Sequence, residues 1–139
     1  MNLSYKMENK SKKILTEISA GELFDKISIL EIKLYNIKDK ESLLEINKEH
    51  ESLTRTKNSN FEITKDLQDL INQLKEINMK LWTIENEKRI CEKNKDFGET
   101  FIKLARNVYL NNDKRAKIKS KINEILGSNI KEIKQYINY

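Results

Sequence analysis

The 139 residues suffice for one domain with a buried core and are too few for two. The chain has no proline and three glycines, which argues against β architectures because those depend on frequent turn residues. It lacks an apolar run of about 18 residues, as a membrane span needs, and its single cysteine excludes an internal disulfide. We therefore expect a cytoplasmic helical protein without a membrane span.

The net charge of +5 comes from the last third of the chain. Residues 98–139 carry 9 basic and 4 acidic side chains, whereas the two charges balance over the rest. Among the 27 basic residues, the arginines are Arg55, Arg89, Arg106 and Arg115. Because a planar guanidinium makes forked contacts to carboxylates and phosphates, the arginines are the first candidates for an anion site.

The first part of the chain predicts a tail followed by two helices. Residues 1–13 are polar and unpatterned, which indicates a flexible tail before a single helical domain over 14–139. The sequence SAGE at 19–22 matches a capping box and predicts a helix over about 20–37. A second helix with a thin apolar face is predicted over about 40–56. Together with the long helix predicted after it, this helix could leave apolar surface for a homodimer.

The second part of the chain predicts the centre of the fold. Regularly spaced leucines and isoleucines indicate one long helix over about 63–93. A fourth helix is predicted over about 98–110, and a fifth begins at Asn112 or Asp113 and ends before Gly127. The predicted fold class is therefore all-α, a single-domain bundle of about five helices around one long central helix.

The apolar stripe of the central helix becomes charged after Ile84, with Trp82 at the junction. At about 100° per residue, the charged side chains that fall within the stripe are Glu85, Lys88, Arg89 and Glu92. On the first helix, Glu31 shares a face with apolar residues on both sides. Charged side chains therefore occupy positions where the helical pattern predicts core residues.

Two interpretations of these charges stay open. In the first, the helix extends beyond the core, and Glu85 and Arg89 form an ordinary solvated i,i+4 pair. In the second, its end borders a polar pocket, where buried charges must be paired because an isolated one costs several kcal/mol. The side chains that should then converge are Glu31, Glu85, Arg89 and Arg106.

Other signals in the sequence are weaker. KRAKIKSK at 114–121 holds five basic residues, which fits a phosphate-binding strip but also a solvated face, and no aromatic residue is interleaved for base stacking. His50 has no metal-ligand spacing around it, and Cys91 has no CxxC partner. The chain contains no P-loop, GxGxxG, GxSxG or HExxH motif. We therefore predict no metal and no cofactor.

Four stretches resemble a small family of uncharacterised bacterial and phage-associated proteins, classed as a domain of unknown function. They are GELFDKISILEIK (21–33), LWTIENEKRICE (81–92), DFGETFIKLARNVYLNNDKRAKIKSKIN (96–123) and GSNIKEIKQY (127–136). The family pattern reads GEL-DK-ILEIK, LW-IE---R-CE and DFG--F--LAR-VY--ND-RA--K--IN, and the chain departs from it at Asn86, where an acidic residue is usual. The resemblance implies a context of glycan assembly. The residues that it marks are Glu22, Asp25, Lys26, Glu31, Lys33, Trp82, Glu85, Arg89, Asp96, Arg106, Tyr109, Asn112, Asp113, Arg115, Lys119 and Asn123.

We predict from the sequence a small binding or accessory protein that recognises an anionic ligand, such as a phosphate or a nucleotide sugar. One alternative is a metal-independent enzyme that uses the same arginine and glutamate side chains on a helical scaffold. Another is a nucleic-acid binder that uses the basic helix 114–121. The candidate ligand-binding residues are Glu31, Trp82, Glu85, Arg89, Arg106, Tyr109, Asn112, Asp113, Arg115 and Lys119.

Overall fold

The computed structural model describes residues 12–139, and within this range the chain forms four α-helices and no strand. The helices are α1 (Ala20–Asn36), α2 (Lys40–Asn60), α3 (Lys65–Lys93) and α4 (Glu99–Leu126). The predicted all-α class is confirmed. None of the described helices is both long enough and apolar enough to cross a membrane. The expected tail at 1–13 lies almost wholly outside the described residues.

Side-chain caps begin the first three helices. Each cap oxygen accepts a hydrogen bond from the backbone N–H three residues on, at 3.1 Å for Ser19, 2.9 Å for Asp39 and 3.3 Å for Thr64. The capping box of α1 forms only in half, because the Glu22 carboxylate accepts a hydrogen bond from Lys119 instead. The caps therefore fix where the helices start, and the Glu22 side chain is left for a tertiary contact.

The prediction of about five helices is wrong by one, because the expected fourth and fifth helices are the single helix α4. Asn112 and Asp113 do not begin a new helix there. The Asn112 side chain accepts a hydrogen bond from Arg115 one turn on, and the Asp113 carboxylate accepts one from the Tyr139 hydroxyl. The chain has no proline, which would have broken the helix at this point, and α4 continues through both residues. The long central helix is confirmed as α3.

The main core lies between α1, α3 and α4. Leu67, Leu74 and Ile122 are fully buried at its centre, and Phe24 of α1 packs onto them. A smaller cluster of Ile84, Cys91 and Leu104 joins the far ends of α3 and α4. The helix α2 has no buried residue and contacts only α1 among the other helices. Three helices therefore form the body of the fold, and α2 covers one side of α1.

Residues 128–139 follow α4 without regular structure, and we call this segment the strap. It runs back along α4, because Glu132 contacts Lys119 and the Tyr139 hydroxyl bonds to Asp113 nearer the start of the helix. We expect strap residues that pack on a bundle to be buried, yet Ile133 and Ile137 are 84% and 93% exposed. The strap thus adds polar contacts and cavity walls rather than core.

Candidate functional site

The start of α1 rests directly on the backbone of α4 at Gly21. A Cβ atom at this position would lie 2.6 Å from the Lys119 carbonyl oxygen, a distance that real Cβ contacts do not reach. The Asn123 Oδ1 accepts a hydrogen bond from the Gly21 N–H at 2.7 Å, and the Ser128 hydroxyl accepts one from the Ala20 N–H at 3.0 Å. These side chains satisfy the free amides of the helix start and bring α1 within reach of charges on α4.

Three carboxylates surround the ammonium group of Lys119. The Nζ atom lies 2.6 Å from Glu22 Oε2, 3.4 Å from Asp25 Oδ2 and 3.4 Å from Glu132 Oε2. The Lys119 side chain is 11% exposed and that of Asp25 7% exposed. Charges at such depth must be compensated, because an unpaired one costs several kcal/mol. The cluster therefore ties α1, α4 and the strap together at one point.

The pKa values of the two innermost partners follow from this pairing. Burial by itself would raise the pKa of Glu22, but the hydrogen bond and charge of Lys119 outweigh it and hold that pKa below its ordinary value. Burial would likewise lower the pKa of Lys119, and the hydrogen bond to Glu22 with the charges of Asp25 and Glu132 raises it instead. Both groups are consequently ionised at neutral pH.

A buried asparagine of α3 connects this cluster to a second cation. The Asn78 Nδ2 donates to Asp25 Oδ1 at 2.8 Å and to the Ser28 hydroxyl at 3.3 Å. Its Oδ1 accepts from Arg115 Nη1 at 3.1 Å. Asn78 is 4% exposed, so its amide must be satisfied within the protein, and the three bonds accomplish this. The chain Asp25–Asn78–Arg115 is therefore a continuous polar path through the core.

Arg115 is held by neutral groups rather than by carboxylates. Besides the bond to Asn78, its Nη2 donates to Asn112 Oδ1 at 2.8 Å. No carboxylate among residues 12–139 lies within 4.0 Å of the guanidinium, whereas Lys119 of the same network has three. A guanidinium has five N–H donors, so three remain free for a ligand. Arg115 is thus a half-buried cation that hydrogen bonds hold in position and that forms no ion pair with the described residues.

Arg115 also forms part of the wall between two cavities. The first, which we call the Trp82 groove, has a volume of about 400 Å³. Its lining residues are Ile29, Ile32, Asn78, Leu81, Trp82, Glu85, Asn86, Arg89 and Arg115. The second, which we call the tyrosine cavity, has a volume of about 590 Å³ and lies between α4 and the strap. Its lining residues are Tyr109, Asn112, Asp113, Arg115, Lys134, Tyr136, Ile137 and Tyr139.

Most of the predicted site residues lie at these cavities. Trp82, Glu85, Arg89 and Arg115 line the groove, and Arg115 also lines the tyrosine cavity. The other predicted residues of that second cavity are Tyr109, Asn112 and Asp113. Lys119 belongs instead to the buried charge cluster behind them. Seven of the ten predicted residues thus line at least one of the two cavities, which the sequence alone did not separate.

The predicted convergence of four charges from three helices does not occur. Glu31 turns to α2, where its Oε2 lies 3.9 Å from His50 Nε2. Arg89 pairs with Glu85 of its own helix at 2.7 Å and is 72% exposed. Arg106 is exposed and has no ion pair with any residue of the described range. Glu31 and Arg106 are thus misplaced in the predicted site, because helical phase alone does not show which neighbouring helix covers a face.

Several residues of the observed network were not predicted as site residues. Asn78 is the clearest case, and a signal for it exists, since it is a polar residue on the core side of α3 between Leu74 and Leu81. Glu22 and Asp25 share one face of α1, but nothing in the sequence shows that Lys119 packs against them.

Across residues 12–139, no group of three His, Cys, Asp or Glu side chains is placed to hold a metal ion.

A family model described as a family of unknown function, DUF6165, matches residues 14–138. No curated protein and no solved structure matches the chain.

Proposed function

We propose that this chain, which belongs to DUF6165, a family of unknown function, is a binding protein that holds a phosphate-bearing small molecule at Arg115. The proposal rests on the surroundings of the Arg115 guanidinium. Two neutral amides orient it, no carboxylate of the described residues touches it, and both adjacent cavities reach it. A cation fixed in this way is prepared for an anionic ligand, because its orientation is already set before binding.

Two other cations of the predicted site, Lys119 and Arg89, already have carboxylate partners. Lys119 has three carboxylates around it, and Arg89 has the carboxylate of Glu85 at 2.7 Å. An incoming anion at either position would compete with a partner that the protein itself supplies. Arg115 meets no such competition, and its planar fork matches two phosphate oxygens at once. The proposed anchor is therefore Arg115 rather than the pair at the end of α3.

A metal-independent enzyme at the same site is the less favoured proposal. Glu85 is the carboxylate on the groove wall, and the hydrogen bond from Arg89 holds its pKa below the ordinary value. A carboxylate with a lowered pKa is a weak base and holds no proton to donate near neutral pH. Binding needs no such group, so the geometry supports recognition better than turnover.

Nucleic-acid binding through residues 114–121 is also less favoured. Lys119 is buried among carboxylates, and Arg115 is bound to two amides. Neither side chain is therefore part of the exposed face of α4 that a nucleic acid would contact. Lys114, Lys117 and Lys121 are the exposed cations that remain there. Three separate lysines without a stacking aromatic side chain are a common solvated surface.

A cytoplasmic location, which we also propose, is compatible with the free, buried thiol of Cys91.

The test is thermal unfolding with inorganic pyrophosphate, measured against potassium chloride of equal ionic strength. We expect the melting temperature to rise by about 5 °C when pyrophosphate exceeds its Kd tenfold. In Arg115→Gln the rise should vanish, and in Arg115→Lys most of it should be lost, because lysine cannot form the fork.

The matched control is Arg55→Gln, which removes an exposed arginine of α2 and should leave the rise unchanged. Each variant is compared with its own melting temperature without pyrophosphate, so a change in basal stability does not enter the result. Equal stabilisation of the wild type and Arg115→Gln would contradict the proposal, as would the absence of any rise in the wild type.

A further inference from the structure

We infer that the ligand is a nucleoside diphosphate ester, with its base in the tyrosine cavity, its diphosphate on Arg115 and its esterified group in the Trp82 groove. The inference rests on the proposed function and adds the class of ligand and its orientation. It starts from the position of Arg115 between the two cavities. A ligand that consists of phosphate alone would leave both cavities empty, although each is within the range of about 300–1,000 Å³ that small-molecule sites occupy.

The two terminal nitrogens of the guanidinium bond to residues of different cavities. Nη1 donates to Asn78, which lines the groove, and Nη2 donates to Asn112, which lines the tyrosine cavity. A phosphate group on the remaining donors consequently lies at the junction, with one substituent directed to each side. The ligand that fits this arrangement carries its anionic group in the middle of the molecule. A phosphodiester or a diphosphate diester has this form, and a terminal phosphate does not.

The tyrosine cavity has the features of a site for a heteroaromatic ring. Its walls include Tyr109 and Tyr139, whose ring centroids lie 5.5 Å apart at 78°, and the exposed ring of Tyr136. A flat base stacks on such rings whatever its identity. The Asn112 Nδ2 can donate a hydrogen bond to a ring nitrogen or carbonyl of a base, and the Asp113 carboxylate can accept one from its amino or imino group. An aliphatic anion would gain nothing from these polar groups.

A second cation on the same wall favours a diphosphate over a monophosphate. Lys134 of the strap lines the tyrosine cavity together with Arg115. Its nearest carboxylate oxygen, on Glu132, is 3.8 Å away, so that pair is a loose one. Two cations along one path suit two linked phosphate groups, each of which carries a negative charge at neutral pH.

The Trp82 groove fits a neutral polar ring. Leu81, Trp82 and Ile29 supply an apolar surface, while Asn86 and Glu85 supply hydrogen-bonding groups at its edge. Glu85 is ionised at neutral pH, because the hydrogen bond from Arg89 lowers its pKa. Because Arg89 lies 2.7 Å from Glu85 on the same wall, this pair offers no net positive charge to attract a further anionic group. The group esterified to the diphosphate is therefore uncharged and carries hydroxyl or amide groups, as a sugar does.

The test is isothermal titration of the full chain with pyrophosphate, the four common nucleoside diphosphates and their glucose esters. We expect at least one nucleoside diphosphate to bind about tenfold more tightly than pyrophosphate, the gain of one stacked base. In Tyr136→Ala this difference should shrink to about twofold, while pyrophosphate itself binds as before. The control is Tyr35→Ala, since Tyr35 is 81% exposed on α1 and lines neither cavity.

The groove is tested with the fluorescence of Trp82, the only tryptophan in the chain. The glucose ester should change the emission of Trp82 beyond the change that the same nucleoside diphosphate produces. Equal emission with both would overturn the assignment of the groove. Pyrophosphate binding that needs Arg115 but gains nothing from a nucleoside would overturn this inference and leave the proposed function intact. The absence of binding by every probe would overturn both.

Discussion

The end of α3 and the junction of α1 with α4 each carry an ion pair of nearly the same length, but the two pairs differ in how far they are exposed to solvent. Arg89 lies 2.7 Å from Glu85, and Lys119 lies 2.6 Å from Glu22. Arg89 is 72% exposed, whereas Lys119 is 11% exposed and has two further carboxylates nearby. The charges of the exposed pair are hydrated whether or not the pair forms, so it contributes little to the free energy of unfolding. The inner cluster cannot lose Lys119 without leaving the buried charge of Asp25 uncompensated.

This difference explains why only one of the two regions organises the fold. The partners at the end of α3 are four residues apart on one helix, so they constrain nothing beyond that helix. The partners of Lys119 come from α1 and from the strap, and Asn78 adds α3 through Asp25. The buried network therefore sets how three helices meet. It also fixes Asn78, which in turn orients Arg115 at the proposed site.

Removing the central cation should have the largest effect. Lys119→Met leaves the buried carboxylate of Asp25 without an ion pair and leaves Glu22 only Lys26, whose Nζ is 3.8 Å away. We expect the free energy of unfolding to fall by about 3 kcal/mol in urea denaturation. Lys117→Met, two residues away on the exposed face of the same helix, is the control and should change it by under about 0.5 kcal/mol. Similar losses in both variants would remove the contrast between the two regions.

Much of this arrangement follows from the sequence, and the reason for the remainder is physical. Periodicity and caps identify helices, so α1 and α3 begin and end close to the predicted residues. The predicted break inside α4 was wrong, because Asn112 is a good cap residue that here bonds to Arg115 within a continuous helix. A local signal permits a helix start but does not require one.

The site was harder to predict than the helices. Charges on the apolar stripe of α3 are visible in one helix, so the sequence drew attention to Glu85 and Arg89. The partners that bury Lys119 lie 97 and 94 residues away along the chain, at Glu22 and Asp25, and only the close approach at Gly21 brings them together. Contacts between distant segments depend on packing, which a single sequence does not state.

The close approach itself is tested by Gly21→Ala. Alanine favours a helix over glycine by about 0.5–1 kcal/mol, so a free helix would gain stability. We expect a loss of about 1–3 kcal/mol instead, because the new Cβ would lie 2.6 Å from the Lys119 carbonyl and push α1 away from α4. The measurement is again urea denaturation. A gain in stability would show that α1 does not rest on α4 at this residue.

Gly98→Ala provides the matched control for that substitution. A Cβ atom at Gly98 would meet its nearest neighbour, Asp96 Oδ1, at 3.5 Å, which is an ordinary contact. The residue caps α4 with φ −80°, a conformation that alanine adopts without strain. We expect a change of under about 1 kcal/mol, as for other replacements of a cap glycine by alanine.

Acid unfolding should separate the two regions by a smaller amount. The pKa of Glu22 is lowered, so its unfolded form binds a proton at a higher pH than its folded form does. Its contribution is present above the ordinary pKa of 4.5 and is lost as the pH falls below that value. We expect Glu22→Gln to flatten the decline of unfolding free energy between about pH 5 and pH 3 more than Glu85→Gln does. The partner of Glu22 is a buried lysine, whereas the partner of Glu85 is an arginine that is 72% exposed. Urea midpoints at each pH give the result, and equal flattening would contradict the comparison.

The smallest effect is expected at the pair that the sequence first suggested. In Arg89→Gln the free energy of unfolding should fall by about 0.3–0.5 kcal/mol, the value of an exposed i,i+4 pair. Two conditions identify that small loss as a surface interaction. It should disappear in 1 M sodium chloride, where charges are screened within about 3 Å. A double-mutant cycle with Glu85→Gln should also return a coupling of under about 1 kcal/mol. A coupling that exceeded about 2 kcal/mol and persisted in salt would mean that Arg89 is bound in a closed site. The end of α3 would then be a buried ion-pair site like the Lys119 cluster, and the contrast between the two regions would be wrong.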